Sequence, residues 1–167
     1  MREFVVSNAG PSTVAAAATL VFVNPASAPN PSIEFLRFWV GQSANATSAQ
    51  QNVQIVTRVS SYPNGMTGIT PAKLKTAVPN ASVVISNTSG PMDSAGVNET
   101  AENGGTKTVG IRDSFNVLNG WLHVPTPAET LVLPANVSAT GHGAGMFFPS
   151  APTTTTGWQW GLIYRET

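Results

Sequence analysis

The sequence predicts an all-β protein folded as a single β-sandwich of jelly-roll type. Valine leads the large apolar residues, and 15 Gly and 13 Pro are spread along the whole of the 167-residue chain. Between these turn formers the apolar residues gather in short, β-branched runs, the signature of strands rather than helices. The runs recur at intervals of roughly 10–20 residues, longer than in a meander of tight hairpins, as expected when strands hop between two sheets. Nothing repeats at a fixed period and no linker divides the chain, so residues 1–167 read as one domain.

Phe4–Asn8 reads as the first strand. Val14–Val23 carries the helix-favouring run Ala15–Ala18, but its Thr-Leu-Val-Phe-Val end and the following Pro25, Pro29 and Pro31 favour an extended segment. Ile33–Gly41 is the strongest strand. Leu36, Phe38 and Val40 share one face and Phe35 and Trp39 the other, which predicts burial on both sides.

Gln50–Val59 alternates Val53, Ile55, Thr57 and Val59 with Asn52, Gln54 and Arg58, so one side of that strand is expected to face water. Tyr62-Pro63-Asn64-Gly65 reads as a turn, Ala81–Ser86 as an apolar run, and Asn87–Gly105 as a long polar loop. Lys107–Ile111 is short and extended. Asn119-Gly120, between Phe115–Leu118 and Trp121–Val124, suits a two-residue hairpin turn with positive φ. Thr130–Leu133 and Gly145–Phe148 are short strands. In the closing strand, Gly157–Arg165, the side chains of Trp158, Trp160, Leu162 and Tyr164 share a face, and Gly161 leaves a gap beside Ile163 on the other.

Composition narrows the function classes. The chain has no cysteine, which excludes disulfides, thiolate metal sites and a Cys nucleophile. Charged residues are 10% and the formal net charge is zero, so the cationic surplus that nucleic-acid binding requires is missing. Ala, Thr, Ser and Asn take the place of charge, and a surface near zero net charge tends to associate. The N-terminus, Met1-Arg2-Glu3-Phe4, lacks the pattern of a signal peptide, and the apolar run before Asn24-Pro25 is about half a membrane span. The expectation is a soluble chain made in the cytoplasm, with no membrane partner. The N-x-S/T triplets at Asn45, Asn80, Asn87, Asn98 and Asn136 then read as chance products of the composition.

Reactive chemistry finds little support. Asp93, Glu99 and Glu102 are the one carboxylate cluster, but their spacing matches no EF-hand loop, and a solvated loop is the expectation. His123 and His142 are too few for a three-histidine zinc site, and no His-Glu-x-x-His run accompanies them. No Gly-x-Ser-x-Gly elbow marks a hydrolase. Gly141-His142-Gly143-Ala144-Gly145 looks like a phosphate cradle, but Met146-Phe147-Phe148-Pro149 cannot supply the helix such a cradle needs, so it reads as a turn before a strand. No cofactor, metal or catalytic residue is expected.

The stretches Ile33–Val56, Phe115–Pro127 and Thr156–Glu166 resemble the cement, or decoration, proteins on the outside of tailed-bacteriophage heads. The resemblance spans most of the chain and is one of order and style. It implies a β-sandwich or jelly-roll trimer, without enzymatic activity, whose partners are the major capsid protein and its own copies. The implied location is the exterior of the virion, after synthesis in the host cytoplasm. Candidate interface residues are Phe4, Val5 and Val6, which are apolar at consecutive positions and need cover on both faces, and Trp158. The bland alternative for the N-terminal arm is a strand at the edge of its own sandwich. Trp158 and Trp160 must be buried or exposed together; core is favoured for them and more strongly for Trp39. Were the pair exposed, it would form a stacking platform for host glycans, and the protein would be a sugar-binding attachment module.

Overall fold

Alternation of apolar and polar side chains has a period of two, so each run buries one face only if a second sheet covers it. The computed structural model describes residues 1–24, 31–44, 47–59, 67–81, 84–85, 94–97, 106–135 and 143–167. Its strands are β1 (Arg2–Ser7), β2 (Ala18–Val23), β3 (Ile33–Gln42), β4 (Gln50–Val59), β5 (Thr67–Gly68), β6 (Ala72–Lys73), β7 (Val84–Ile85), β8 (Ser94–Val97), β9 (Thr106–Asn116), β10 (Trp121–His123), β11 (Val132–Leu133), β12 (Gly143–Phe148) and β13 (Trp158–Glu166). No helix occurs among the described residues.

The strands form two packed sheets, an all-β sandwich. The first has the order β10-β3-β13-β1-β6, with β11 also paired to β3. The second has the order β5-β8-β2-β12-β4-β9, with β7 added on β8. Pairing is antiparallel except for the short β7–β8 ladder. The chain crosses between sheets repeatedly: β1, β3, β10 and β13 lie in the first, and β2, β4, β9 and β12 in the second.

The core lies between the sheets. Phe4, Phe35, Phe38, Trp160, Leu162 and Tyr164 face inward from the first sheet toward Leu20, Val53, Ile55, Met146 and Phe148 of the second. Trp158 packs edge-on against Phe148 at 5.0 Å and against Phe115 at 6.3 Å, and its Nε1–H donates to the Thr154 carbonyl oxygen at 2.7 Å. Each such buried aromatic side chain contributes about 1.5–3 kcal/mol by leaving water.

Several expectations need correction. The two-faced apolarity of Ile33–Gly41 is not burial on both sides. Ile163 pairs with Arg37 and Tyr164 with Phe35, so Leu36 is an extra residue in the ladder. That bulge reverses the phase of the strand. Phe35 and Phe38 therefore both face the core, with their rings stacked at 5.6 Å. Trp39 is not core; it is half-buried on the outer side of the sheet. Asn119-Gly120 does not close a hairpin. Gly120 does take a positive φ of 68°, but β9 pairs with β4 and β10 with β3, so the turn carries the chain from one sheet to the other.

Arg58 does not face water. Phe22 lies over Gly143 and Gly145, whose missing Cβ atoms leave room for its ring. Arg58 is buried beside that ring, its guanidinium 5.9 Å from the centroid and donating to Thr19 Oγ1 at 2.8 Å. The polar stretch Asn87–Gly105 holds a strand, Ser94–Val97, which pairs with Val21–Val23; backbone hydrogen bonding forms it without an apolar pattern of its own. Lys107–Ile111 and Phe115 belong to one long strand, β9, interrupted by a bulge at Gly110. The turn Tyr62–Gly65 lies outside the described residues.

Candidate functional site

The outer face of the first sheet is built in rows by its registers. Ser7, Gly161, Trp39 and Leu122 form one row across β1, β13, β3 and β10. Val5, Ile163 and Arg37 form the next. Glu3, Arg165, Glu34 and Val132 form the third. Val124 directly follows the last pair of β10, His123 with Phe38.

These rows sort by chemistry. In the third, Arg165 bridges both neighbours, with Nη2 at 3.2 Å from Glu3 Oε1 and Nη1 at 3.0 Å from Glu34 Oε2. That end of the face is charged and internally neutralised. The corner where β10 and β11 flank β3 cuts across these rows and is apolar and open: Leu122 is 62% exposed, Val124 54% and Val132 49%, beside the half-buried Trp39 and Leu36. Arg37 stands exposed among them and makes no ion pair among the described residues.

The residues picked from sequence lie elsewhere, with one exception. Phe4, Val6 and Trp158 are each 0% exposed and Trp160 is 1% exposed, all inside the chain's own core. None is available as a surface anchor. The N-terminal arm is neither loose nor an edge: β1 is paired on both sides, to β13 and to β6, and this pairing turns Phe4 and Val6 inward. Only Val5 points outward, half-buried between Ile163 and Ala72. A stacking platform of Trp158 and Trp160 is overturned, because both indoles are sealed between the sheets.

The other chemistry-bearing groups do not converge. No group of three or more His, Asp or Glu that could hold a metal occurs among the described residues. Asp93, Glu99, Glu102 and His142 lie outside them. His123 stacks on Trp121 at 5.8 Å and lines a cleft of about 480 Å³ at the open edge of the sandwich, with Ile55, Thr57, Ile111 and Leu131. Glu129 on the rim already accepts from the Thr126 hydroxyl at 2.8 Å. Trp121 Nε1–H donates to Asp113 Oδ2 at 2.8 Å, tying β10 of one sheet to β9 of the other. That bond, then the Ser114 backbone N–H, holds the Asp113 carboxyl below its ordinary value. Tyr164 is pushed up, first by burial and then by the charge of Glu166.

Reading strands singly missed the open corner. Leu122 and Val124 do alternate with Trp121 and His123, which is a visible signal. Nothing local says that Trp39 and Val132 lie beside them. Comparison with protein-family models, with curated proteins and with solved structures finds no match to this chain.

Proposed function

We propose that this chain is a non-enzymatic structural protein that binds the outside of an assembled phage capsid and stabilises it, working as a homotrimer with the major capsid protein as its partner. The observation that carries this reading is the open apolar corner Trp39–Leu122–Val124–Val132 on the outer face of the first sheet, in a chain with zero net charge. Apolar side chains left exposed next to one another, rather than scattered singly, mark a contact surface.

The strand orders support the same reading. Within the six- and seven-stranded sheets, the runs β10-β3-β13-β1 and β2-β12-β4-β9 are compatible with a jelly roll, an architecture common in capsid and lectin domains. Fold alone does not carry function; the exposed corner is what sets this sheet face apart. Self-association has a surface of its own to use. β9 pairs only with β4 among the described strands, and its other edge presents backbone groups that a neighbouring copy could engage.

Mechanism follows from mass action. A protein that binds only the closed lattice adds its binding free energy to that state alone and so resists the pressure that pulls subunits apart. The apolar contacts and neutral hydrogen bonds of such an interface are little screened by salt. In the virion the protein would lie on the capsid exterior.

The test uses heads prepared without this protein. Purified chain added to them is expected to co-sediment at saturating, lattice-defined stoichiometry and to raise their disruption temperature. Sedimentation of the free chain is expected to show an oligomer at micromolar concentration. Failure to bind intact heads, or a long-lived free monomer, would overturn the corresponding half of the reading.

A further inference from the structure

We propose that the outer face of the first sheet is the surface that meets the shell, and that it recognises a protein surface presenting a carboxylate surrounded by apolar groups. This deepens the cement reading and rests on it. Arg37 is the pivot. It pairs in register with Ile163 and lies between the row of Trp39 and Leu122 and the row of Glu34 and Val132. The two acids nearest in the ladder, Glu34 and Glu3, are held by Arg165 at 3.0 and 3.2 Å. Arg37 is therefore an exposed guanidinium beside an indole, two residue types that dominate binding energy when an interface closes over them, with aliphatic groups around them to exclude water. A closing partner that brought no anion would strand that charge in a dry contact, which is costly.

Charge complementarity chooses among occupants. A second copy placed face to face about a two-fold axis would bring Arg37 toward its own counterpart, and like charges across such a contact repel. Nucleic acid would need a cationic field, whereas this face sets Arg37 and Arg165 against Glu3 and Glu34 and the whole chain is neutral. What remains is another protein surface with the opposite charge in an apolar setting.

Binding of the full chain to heads lacking it would be compared for wild type, Leu122→Asp, Arg37→Glu and Arg37→Lys. Asn52→Asp, an exposed change on the other sheet, serves as control. Melting temperature and sedimentation of each variant would be recorded alongside. All these side chains are exposed, so the folds should survive. Leu122→Asp and Arg37→Glu are expected to weaken binding at least about tenfold, Arg37→Lys less, and Asn52→Asp not at all. Wild-type chain that ignores the heads would sink the cement reading itself. Wild type that binds, with both face variants binding equally well, would leave that reading standing and overturn this face. Variants that lose head binding only because they fall from oligomer to monomer would assign the face to a second copy, and so overturn the proposal too.

Discussion

Trp39 lies across Gly161, and the two are directly paired in the β3–β13 ladder. A methyl group at position 161 would come within 2.7 Å of Trp39 Cη2 and of the Val6 carbonyl oxygen. The gap left by Gly161 is therefore the seat of an indole. Gly161→Ala is expected to lift Trp39 off the sheet and to destabilise the fold by about 1–3 kcal/mol, the usual cost of overpacking. Urea unfolding gives the energy, and a red shift of tryptophan emission reports the displaced ring. A variant as stable as wild type with unchanged emission would count against this packing.

Trp158 is core. Trp158→Ala removes an indole held by Phe115, Phe148 and the Thr154 carbonyl. It is expected to cost about 3–5 kcal/mol, with a lower urea midpoint and an unchanged slope. Trp158→Phe should cost less, since it keeps most of the ring area and gives up the hydrogen bond.

Removal of residues 1–6 is expected to abolish folding rather than to weaken an intermolecular contact selectively. It deletes nearly all of a strand paired on both sides and takes Phe4 and Val6 out of the core. Far-ultraviolet circular dichroism and a melting curve decide the matter. A truncated chain that melts close to wild type would contradict the placement of β1.

The Asp113–Trp121 bond predicts a pH dependence. Asp113 has its folded pKa lowered from the ordinary 3.8, first by the Trp121 indole and then by the Ser114 N–H. A depressed carboxylate stabilises the fold above its unfolded pKa and loses that contribution as pH falls through the folded value. Trp121→Phe should therefore raise the Asp113 pKa toward 3.8, visible by carboxyl-carbon NMR titration. The stability gap between wild type and variant should be constant near neutrality and shrink only below about pH 4. Asp113 is almost fully solvated, so the gap is expected to be small.

What was legible in the sequence is what local physics controls. β-branched runs cut by Gly and Pro marked an all-β chain, and the alternation in Gly157–Arg165 put Trp158 and Trp160 on one face, where they are found. The need for positive φ at Gly120 was also readable, because a backbone conformation depends on its own residue. Partners were not readable. Which strand lies beside β10 decides whether Asn119-Gly120 closes a hairpin or crosses between sheets, and that choice is made some 80 residues away at Val40, Trp39 and Phe38. The extra residue at Leu36 shows the same limit: a bulge is defined by the neighbouring strand, and strict alternation without it would point Phe35 and Phe38 opposite ways. The open corner on the first sheet is the extreme case. Trp39, Leu122 and Val132 come from three segments far apart in the chain. Side-chain alternation is set within a strand, but a surface is set by the order in which strands pair, and only the tertiary structure decides that order.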